Sequence, residues 1–263
     1  MAESIGELLR SWRQSRGLSQ LDVAMHAGFS ARHISFIETG RAQPSRDALL
    51  AIAESLEVPL RERNRLLTAG GFANVYNETH LAAADMAQVR HVLQFILDRH
   101  MPYGALVLDR LSTCLMGNQA SGKLLAHVAD ASLLTPNANM LRVVFHPKGV
   151  RRFIVNWPDV ARVLLDRAER ELSPARDDAA AALLQEIRGY ARDIEKPASR
   201  RLQSEDLLLP VHLKMDAIEL RMFSTIMTIG TPQDITLQEL RIETFFPADA
   251  PSELTWRALM ERS

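Results

Sequence analysis

The sequence predicts an α+β chain in two parts. Residues 1–69 form an all-helical N-terminal domain. After a linker at 70–84, residues 85–263 form a domain with a five-stranded antiparallel sheet and flanking helices. Three observations carry this. Before residue 70, apolar residues at helical spacing recur five times, and four of the runs open on a serine. Residues 103–116 read as two short strands joined by a tight turn. Period-two alternation returns from Leu207 to Ile242, with helical stretches in between.

Each N-terminal element follows from local chemistry. Ile5, Leu8, Leu9 and Trp12 share one face of a helix over 4–16, with Ser4 and Glu7 spaced as a capping box. Gly17 ends it. Ser19 caps a helix over 20–27, stopped by Gly28; Ser30 caps one over 31–39, stopped by Gly40. Ser45 caps a fourth over 46–56. Pro59 opens a fifth that runs to about Ala69.

Gly70, Gly71 and the polar stretch Asn74 to His80 read as linker. A helix is predicted over 85–100, then strands at 103–109 and 112–116, then a helix from Asn118 to Val128. Residues 129–157 read as irregular, with an apolar piece at Leu141 to Phe145. Helices follow from Pro158 to Leu172 and from Ala175 to about Ile194, and Pro197 closes that region. Strands are predicted at 206–214, 217–229 and 235–246, the last two joined by Gly230-Thr231-Pro232. A short helix over 252–261 ends the sequence.

Of 263 residues, 47% are hydrophobic and 24% charged, with a net charge of −1. This is ordinary for a soluble protein and argues against a uniformly basic coat, while leaving room for a local basic face. The one cysteine, Cys114, allows no internal disulfide framework. It is expected to be a buried thiol, with oxidation sensing as the alternative. No apolar run reaches the ~18 residues of a membrane helix, and no signal peptide is recognisable, so a cytoplasmic protein is expected.

The stretch from Gln20 to Ile37 has the layout of a helix-turn-helix. Ala24 is small enough for two helices to cross closely, and Gly28 tolerates the positive φ of the turn. Ile34 and Ile37 anchor the second helix, leaving Arg32 and His33 free near its N-terminus. Arg32 is suited to bond a guanine edge through two parallel hydrogen bonds. Ala31 offers apolar contact at most. Arg10 and Arg16 either add sequence-blind attraction to phosphates or form a solvated helix face. A protein-binding helical bundle is the alternative to DNA binding.

The motif resembles the phage-repressor and Cro class, the XRE family. The resemblance covers 5–69 through Gly17-Leu18-Ser19-Gln20, Ala24, Gly28, Ile34, Ile37, Glu38, Gly40-Arg41 and Pro44-Ser45. It implies a phosphate contact by Gln20 and base reading by Ser30, Ala31, Arg32 and His33. It also implies backbone contacts by Arg41 and Gln43, and an ion pair between Arg13 and Glu38.

The strand order of the C-terminal part, with helices between the second and third strands, suits a PAS-like sensor domain. Residues 139–147, Asn156-Trp157-Pro158, 223–232 and 239–247 are similar to the MmyB-like group of regulators. That resemblance implies a ligand-binding domain associated with fatty-acid-like molecules. Candidate pocket residues are Phe95, Leu106, Leu115, Phe145, Phe223, Thr225 and Met227, each also explained by ordinary core packing. Arg142 or Asn139 is the candidate anchor for a carboxylate, with a salt bridge or helix cap as the alternative.

Gly117 to Lys123 nearly matches a phosphate-binding loop but carries Leu124 where Ser or Thr would hold magnesium, so a plain strand-to-helix turn is expected. The histidines show no metal-ligand spacing. Asp177-Asp178 and Glu169-Arg170-Glu171 read as solvated helix faces. No catalytic constellation, metal or cofactor is expected. The expected function is a homodimeric DNA-binding transcription regulator, most simply a repressor, modulated by a small apolar effector. The alternatives are a constitutive DNA-binding dimer and an enzyme domain tied to a DNA-binding module.

Overall fold

Serine hydroxyls start four of the helices in the N-terminal part, and the geometry is the one their spacing predicts. The computed structural model describes residues 4–172, 177–192, 208–216 and 218–261. The predicted strand start at 206–207, Pro197, Ile194 and the helix start at Ala175 lie outside the described residues. The chain divides into two units: Met1–His80 with Gly230–Gln238, and Leu81–Ile229 with Glu239–Ser263.

The first unit holds α1 (Ile5–Ser15), α2 (Gln20–Ala27), α3 (Ala31–Glu38), α4 (Arg46–Ser55) and α5 (Leu60–Ala69). Ser4 with Glu7 and Ser19 with Asp22 form capping boxes; Ser30 and Ser45 cap α3 and α4. Gly28 ends α2 in the left-handed region at φ 75°, which an L side chain adopts only with strain. Ile5, Leu9, Val23, Ala24, Ile34 and Ile37 pack with Leu49, Ile52, Leu66 and Leu67 into one core. Gly6 is also buried. A Cβ there would lie 2.7 Å from the backbone oxygens of Ile37 and Glu38, so the approach of α1 to the end of α3 requires glycine.

The stretch read as linker is partly built into this unit. Asn64, buried on α5, accepts the N–H groups of Val75 and Tyr76 and donates to the Tyr76 carbonyl. The Thr79 hydroxyl donates to Asp234 at 2.7 Å, and the Ile235 N–H donates to the Asn77 carbonyl at 2.8 Å.

The second unit contains α6 (Ala87–Arg99), β1 (Ala105–Leu108), β2 (Cys114–Gly117), α7 (Gln119–Val128), α8 (Met140–Phe145), α9 (Trp157–Leu172) and α10 (Asp178–Tyr190). It continues with β3 (Val211–Met215), β4 (Ile218–Met227), β5 (Arg241–Pro247) and α12 (Ala250–Glu261). The short α11 (Ile235–Glu239) lies on the β4–β5 connection. The strands form one antiparallel sheet in the order β2-β1-β5-β4-β3, the α+β arrangement expected. One core cluster joins the sheet residues Leu106, Leu108, Leu213 and Met222 to Trp256 of α12. A second lies among α8, α9 and α10 around Phe145, Ala161 and Ile187.

Three expectations are corrected. The predicted irregular stretch contains α8, started by the Asn139 side chain, which accepts the Arg142 N–H. The predicted strand over 235–246 begins as α11, because Asp234 accepts the Thr236 N–H and starts a helical turn before the chain reaches the sheet. The helix predicted to reach about Ile194 ends at Tyr190.

Candidate nucleic-acid interface and apolar cavity

In the first unit, α3 is fixed by one face and open on the other. Ile34 and Ile37 are buried, and Arg32 is exposed. The Arg32 guanidinium lies 5.1 Å from the Phe36 ring centroid, and that of Arg41 lies 6.0 Å from the same ring. Two exposed cations thus flank one aromatic ring, a contact worth ~0.5–1 kcal/mol each at such exposure. Ser30 caps the helix by accepting the His33 N–H, and the His33 ring packs on Phe29 at 5.4 Å. The half-buried Ala31 joins the core, leaving little to touch a base. Gln43 is exposed in the loop before α4.

Glu38, at the last position of α3, is almost fully buried. Arg13 Nε and Nη2 donate to its two carboxylate oxygens at 2.7 and 3.0 Å, forming the ion pair expected from the sequence. The Gln20 amide donates to the same carboxylate at 2.9 Å, and Arg10 Nε lies 3.5 Å away. Burial by itself raises the Glu38 carboxyl. The hydrogen bonds from Arg13 and Gln20, the charge of Arg13 and the bond from Arg10 outweigh it and hold the group below its ordinary value. The Arg13 guanidinium is raised in turn, chiefly by its bond to Glu38.

Three sequence assignments change here. Gln20 spends its amide inside the domain, where a phosphate contact was implied. Arg10 is half-turned toward Glu38. Arg16 is not a free cation: its Nε and Nη2 donate to the Leu56 and Glu57 carbonyls at 3.1 Å, closing the end of α4. A guanidinium at a helix C-terminus satisfies orphan carbonyls and meets the negative end of the dipole.

In the second unit a cavity of about 190 Å³ opens between the sheet and α7, α8 and α9. This is below the ~300–1,000 Å³ usual for drug-sized ligands, so it suits a slender one. Its wall is apolar, including Leu106, Val143, Val150, Leu213, Met222 and Phe245. Of the predicted pocket residues, Leu106 and Phe223 line it.

The other candidates are elsewhere. Phe95 is 55% exposed on α6, under the Arg99 guanidinium. Leu115 is the unpaired residue at the β1–β2 irregularity, where Val107 faces Met116 and Leu108 faces Cys114. Phe145 is fully buried in the other core cluster, edge-on to Trp157 at 5.2 Å. The Thr225 hydroxyl bonds that of Thr244 at 2.7 Å across the strands, and Met227 is 41% exposed near the strand end. Neither proposed anchor is available: Arg142 is paired with Glu186, and Asn139 caps α8 and donates to the Leu111 carbonyl.

The polar part of the cavity was missed. Arg167 and Glu171 of α9 and Ser224, Arg241 and Glu243 of the sheet line it together. Glu171, read as solvated, accepts from Arg167 Nε at 3.0 Å and pairs with Arg241. The one available clue was spacing: Arg167 and Glu171 sit four apart on a helix, and Arg241 and Glu243 two apart on a strand, so each pair shares a face. Asp177, likewise read as solvated, caps α10 and pairs with Arg110.

The near-phosphate-loop is a strand-to-helix turn. Asn118 caps α7, and Lys123 Nζ donates to the Met260 carbonyl at 2.7 Å. Burial pushes the Cys114 thiol up, against the lesser pull of its bond to the Met116 carbonyl, so it carries little reactive thiolate. Among the described residues, no helix is long and apolar enough to cross a membrane.

A family model described as MmyB-like transcription regulator ligand binding domain matches residues 89–259, and a helix-turn-helix domain model matches 4–66. The chain is 40% identical over 58 residues to the transcriptional regulator ClgR of Mycobacterium tuberculosis, in strains CDC 1551 / Oshkosh and ATCC 25618 / H37Rv. The match covers 22% of this chain and 52% of each of those, so the chain spans about half the length of the curated relatives it matches. It is also similar to the solved restriction-modification controller protein C.AhdI from Aeromonas hydrophila. There the identity is 30%, over 22% of this chain and 89% of that one, with a TM-score of 0.22.

Proposed function

The chain belongs to the MmyB-like transcription regulator family, and from that premise we propose that it is a ligand-modulated repressor that binds operator DNA as a homodimer. The observation that carries the DNA-binding half is the exposure of Arg32 on the first turn of an α3 anchored through Ile34 and Ile37. A helix held that way can enter a major groove with its N-terminal side chains foremost. The ligand half rests on the apolar cavity between sheet and helices. The effector is a small apolar molecule with a fatty-acid-like chain.

The protein acts in the cytoplasm and needs no cofactor. No catalytic role is proposed. Engagement of Lys123 by the Met260 carbonyl supports reading the near-phosphate-loop as structure rather than a nucleotide site.

Selection of duplexes from a random pool by the full chain tests the proposal. The expected product is a two-fold site with half-sites about 34 Å apart, or a multiple of that spacing. Arg32→Ala should weaken it by ~1–3 kcal/mol and relax one base position per half-site. Enrichment of no sequence, or an unchanged profile in Arg32→Ala, overturns the assignment of α3. If medium-chain fatty acids and related alkyl compounds leave operator affinity unchanged, the constitutive DNA-binding dimer replaces the ligand-responsive one.

A further inference from the structure

The wall of the cavity is apolar, but its ionisable groups are organised. Among the described residues, five line it: Asp109, Arg167, Glu171, Arg241 and Glu243. Arg167 Nε donates to Glu171 Oε1 at 3.0 Å, while Arg241 pairs with the other Glu171 oxygen. Arg167 Nη1 lies 3.9 Å from Glu243 Oε1, and the Ser224 hydroxyl donates to that same oxygen at 2.8 Å. The four side chains of this quartet are 17–28% exposed, so water screens them only in part. Asp109 is committed to the backbone N–H groups of Leu111 and Thr113.

Two cations therefore face three carboxylates, and both guanidiniums already hold internal partners. A ligand carboxylate would have to break those pairs or approach Glu171 and Glu243 as a like charge in a partly dry site, where repulsion is several times stronger than in water. A neutral polar end meets no such penalty. A guanidinium carries five N–H donors and a carboxylate about four acceptor positions, more than the quartet uses. A hydroxyl or amide can take one of each and leave every pair intact.

Resting on the reading of this cavity as the effector site, we infer that its ligand is an amphiphile with a slender apolar chain and an uncharged hydrogen-bonding end. An alcohol or an amide fits; an ionised fatty acid does not. The quartet is the element that reads this end.

Calorimetric titration of the full chain at pH 7.5 with decan-1-ol, decanamide and decanoate tests this, since the acid is then ionised. The alcohol and amide are expected to bind at least ~10-fold tighter than decanoate. An alcohol is more apolar and would be favoured by any greasy cavity, so the deciding quantity is how that ratio changes. In Glu171→Gln and in Glu243→Gln the rim loses a negative charge, and decanoate should gain ~10-fold on the alcohol. If decanoate binds the unaltered protein as tightly as the alcohol, or if the ratio stays fixed in both variants, the inference is wrong. Should Glu171→Gln fail to fold, Glu243→Gln and the unaltered protein decide. Binding of none of the three removes the cavity reading itself, an outcome distinct from binding that prefers the acid.

Discussion

Gln238, on the connection between β4 and β5, accepts the backbone N–H of Leu60 at 2.7 Å and so caps α5 from a residue far along the chain. Pro59, the residue before α5, has no side-chain group to do this. Ile235 of the same connection is buried within the N-terminal unit. A segment whose flanking strands belong to the ligand-binding sheet is thus part of the DNA-binding unit. Gln238→Ala should leave the first N–H of α5 without this partner and cost ~0.5–1.5 kcal/mol. Hydrogen exchange of the α5 amides in the full chain reads it directly. Protection equal to that of the parent protein would show that the cap contributes nothing.

The Glu38 hub makes the N-terminal unit acid-sensitive. Its folded carboxyl titrates below the ordinary value, so it contributes stability that is fully present above the unfolded pKa, ~4.3. That stability is lost as pH falls from there through the lower folded value. Arg13→Ala removes the main partner and leaves a buried carboxylate held by Gln20 and Arg10, which should cost ~3 kcal/mol at neutral pH. The variant should also lose much of this acid dependence. Chemical denaturation from pH 3 to 7 tests both points. Equal slopes of stability against pH for variant and parent would place the acid-sensitive group elsewhere.

The helix-turn-helix was legible because its signals are local. A serine three residues before the N–H it accepts, or a glycine where φ turns positive, is visible within a few positions, and α1 to α4 fall where those residues put them. The Arg13–Glu38 pair was also legible, though only by resemblance to a family, since nothing local joins residues 25 apart. The cavity was mostly illegible for the same reason. Leu106 and Phe223 line it, whereas Phe145 and Phe95 carry the same apolar chemistry and do not. Which apolar residue faces a void depends on how helices cross a sheet, and alternation along one strand does not record it. Arg167 and Arg241 become neighbours only when α9 meets β5.

Gly6 belongs to this non-local class. It sits inside α1, where glycine costs ~1 kcal/mol relative to alanine, so a local reading favours replacing it. The structure reverses the sign. A methyl group there would press to 2.7 Å on two carbonyl oxygens of α3, and backbone cannot swing aside as a side chain can. Gly6→Ala should therefore destabilise the N-terminal unit by ~1–3 kcal/mol, despite the gain in helix propensity. Thermal unfolding of the full chain, followed at Trp12, measures it. A melting temperature at or above that of the parent would mean α1 can shift away from α3 without loss.

Arg16 and Arg41 are both exposed arginines of the DNA-binding unit, and the structure gives them opposite roles. Arg16 closes the end of α4 through two carbonyls, so its charge is tied down within the fold. Arg41 lies beyond α3, its guanidinium resting over Phe36 on the face that carries Arg32. A cation that reaches a phosphate releases counterions, so its loss lowers the slope of log affinity against log salt by ~0.9. Arg41→Ala should show that change with unaltered unfolding. Arg16→Ala should show the reverse: ~0.5–1.5 kcal/mol less stability and an unchanged slope. Affinity for a selected duplex between 50 and 200 mM salt, measured beside urea unfolding, separates the two, because protein stability does not enter the slope while the fold remains intact. A slope that drops in Arg16→Ala and holds in Arg41→Ala would exchange the roles, and with them the side of α3 that faces the DNA backbone.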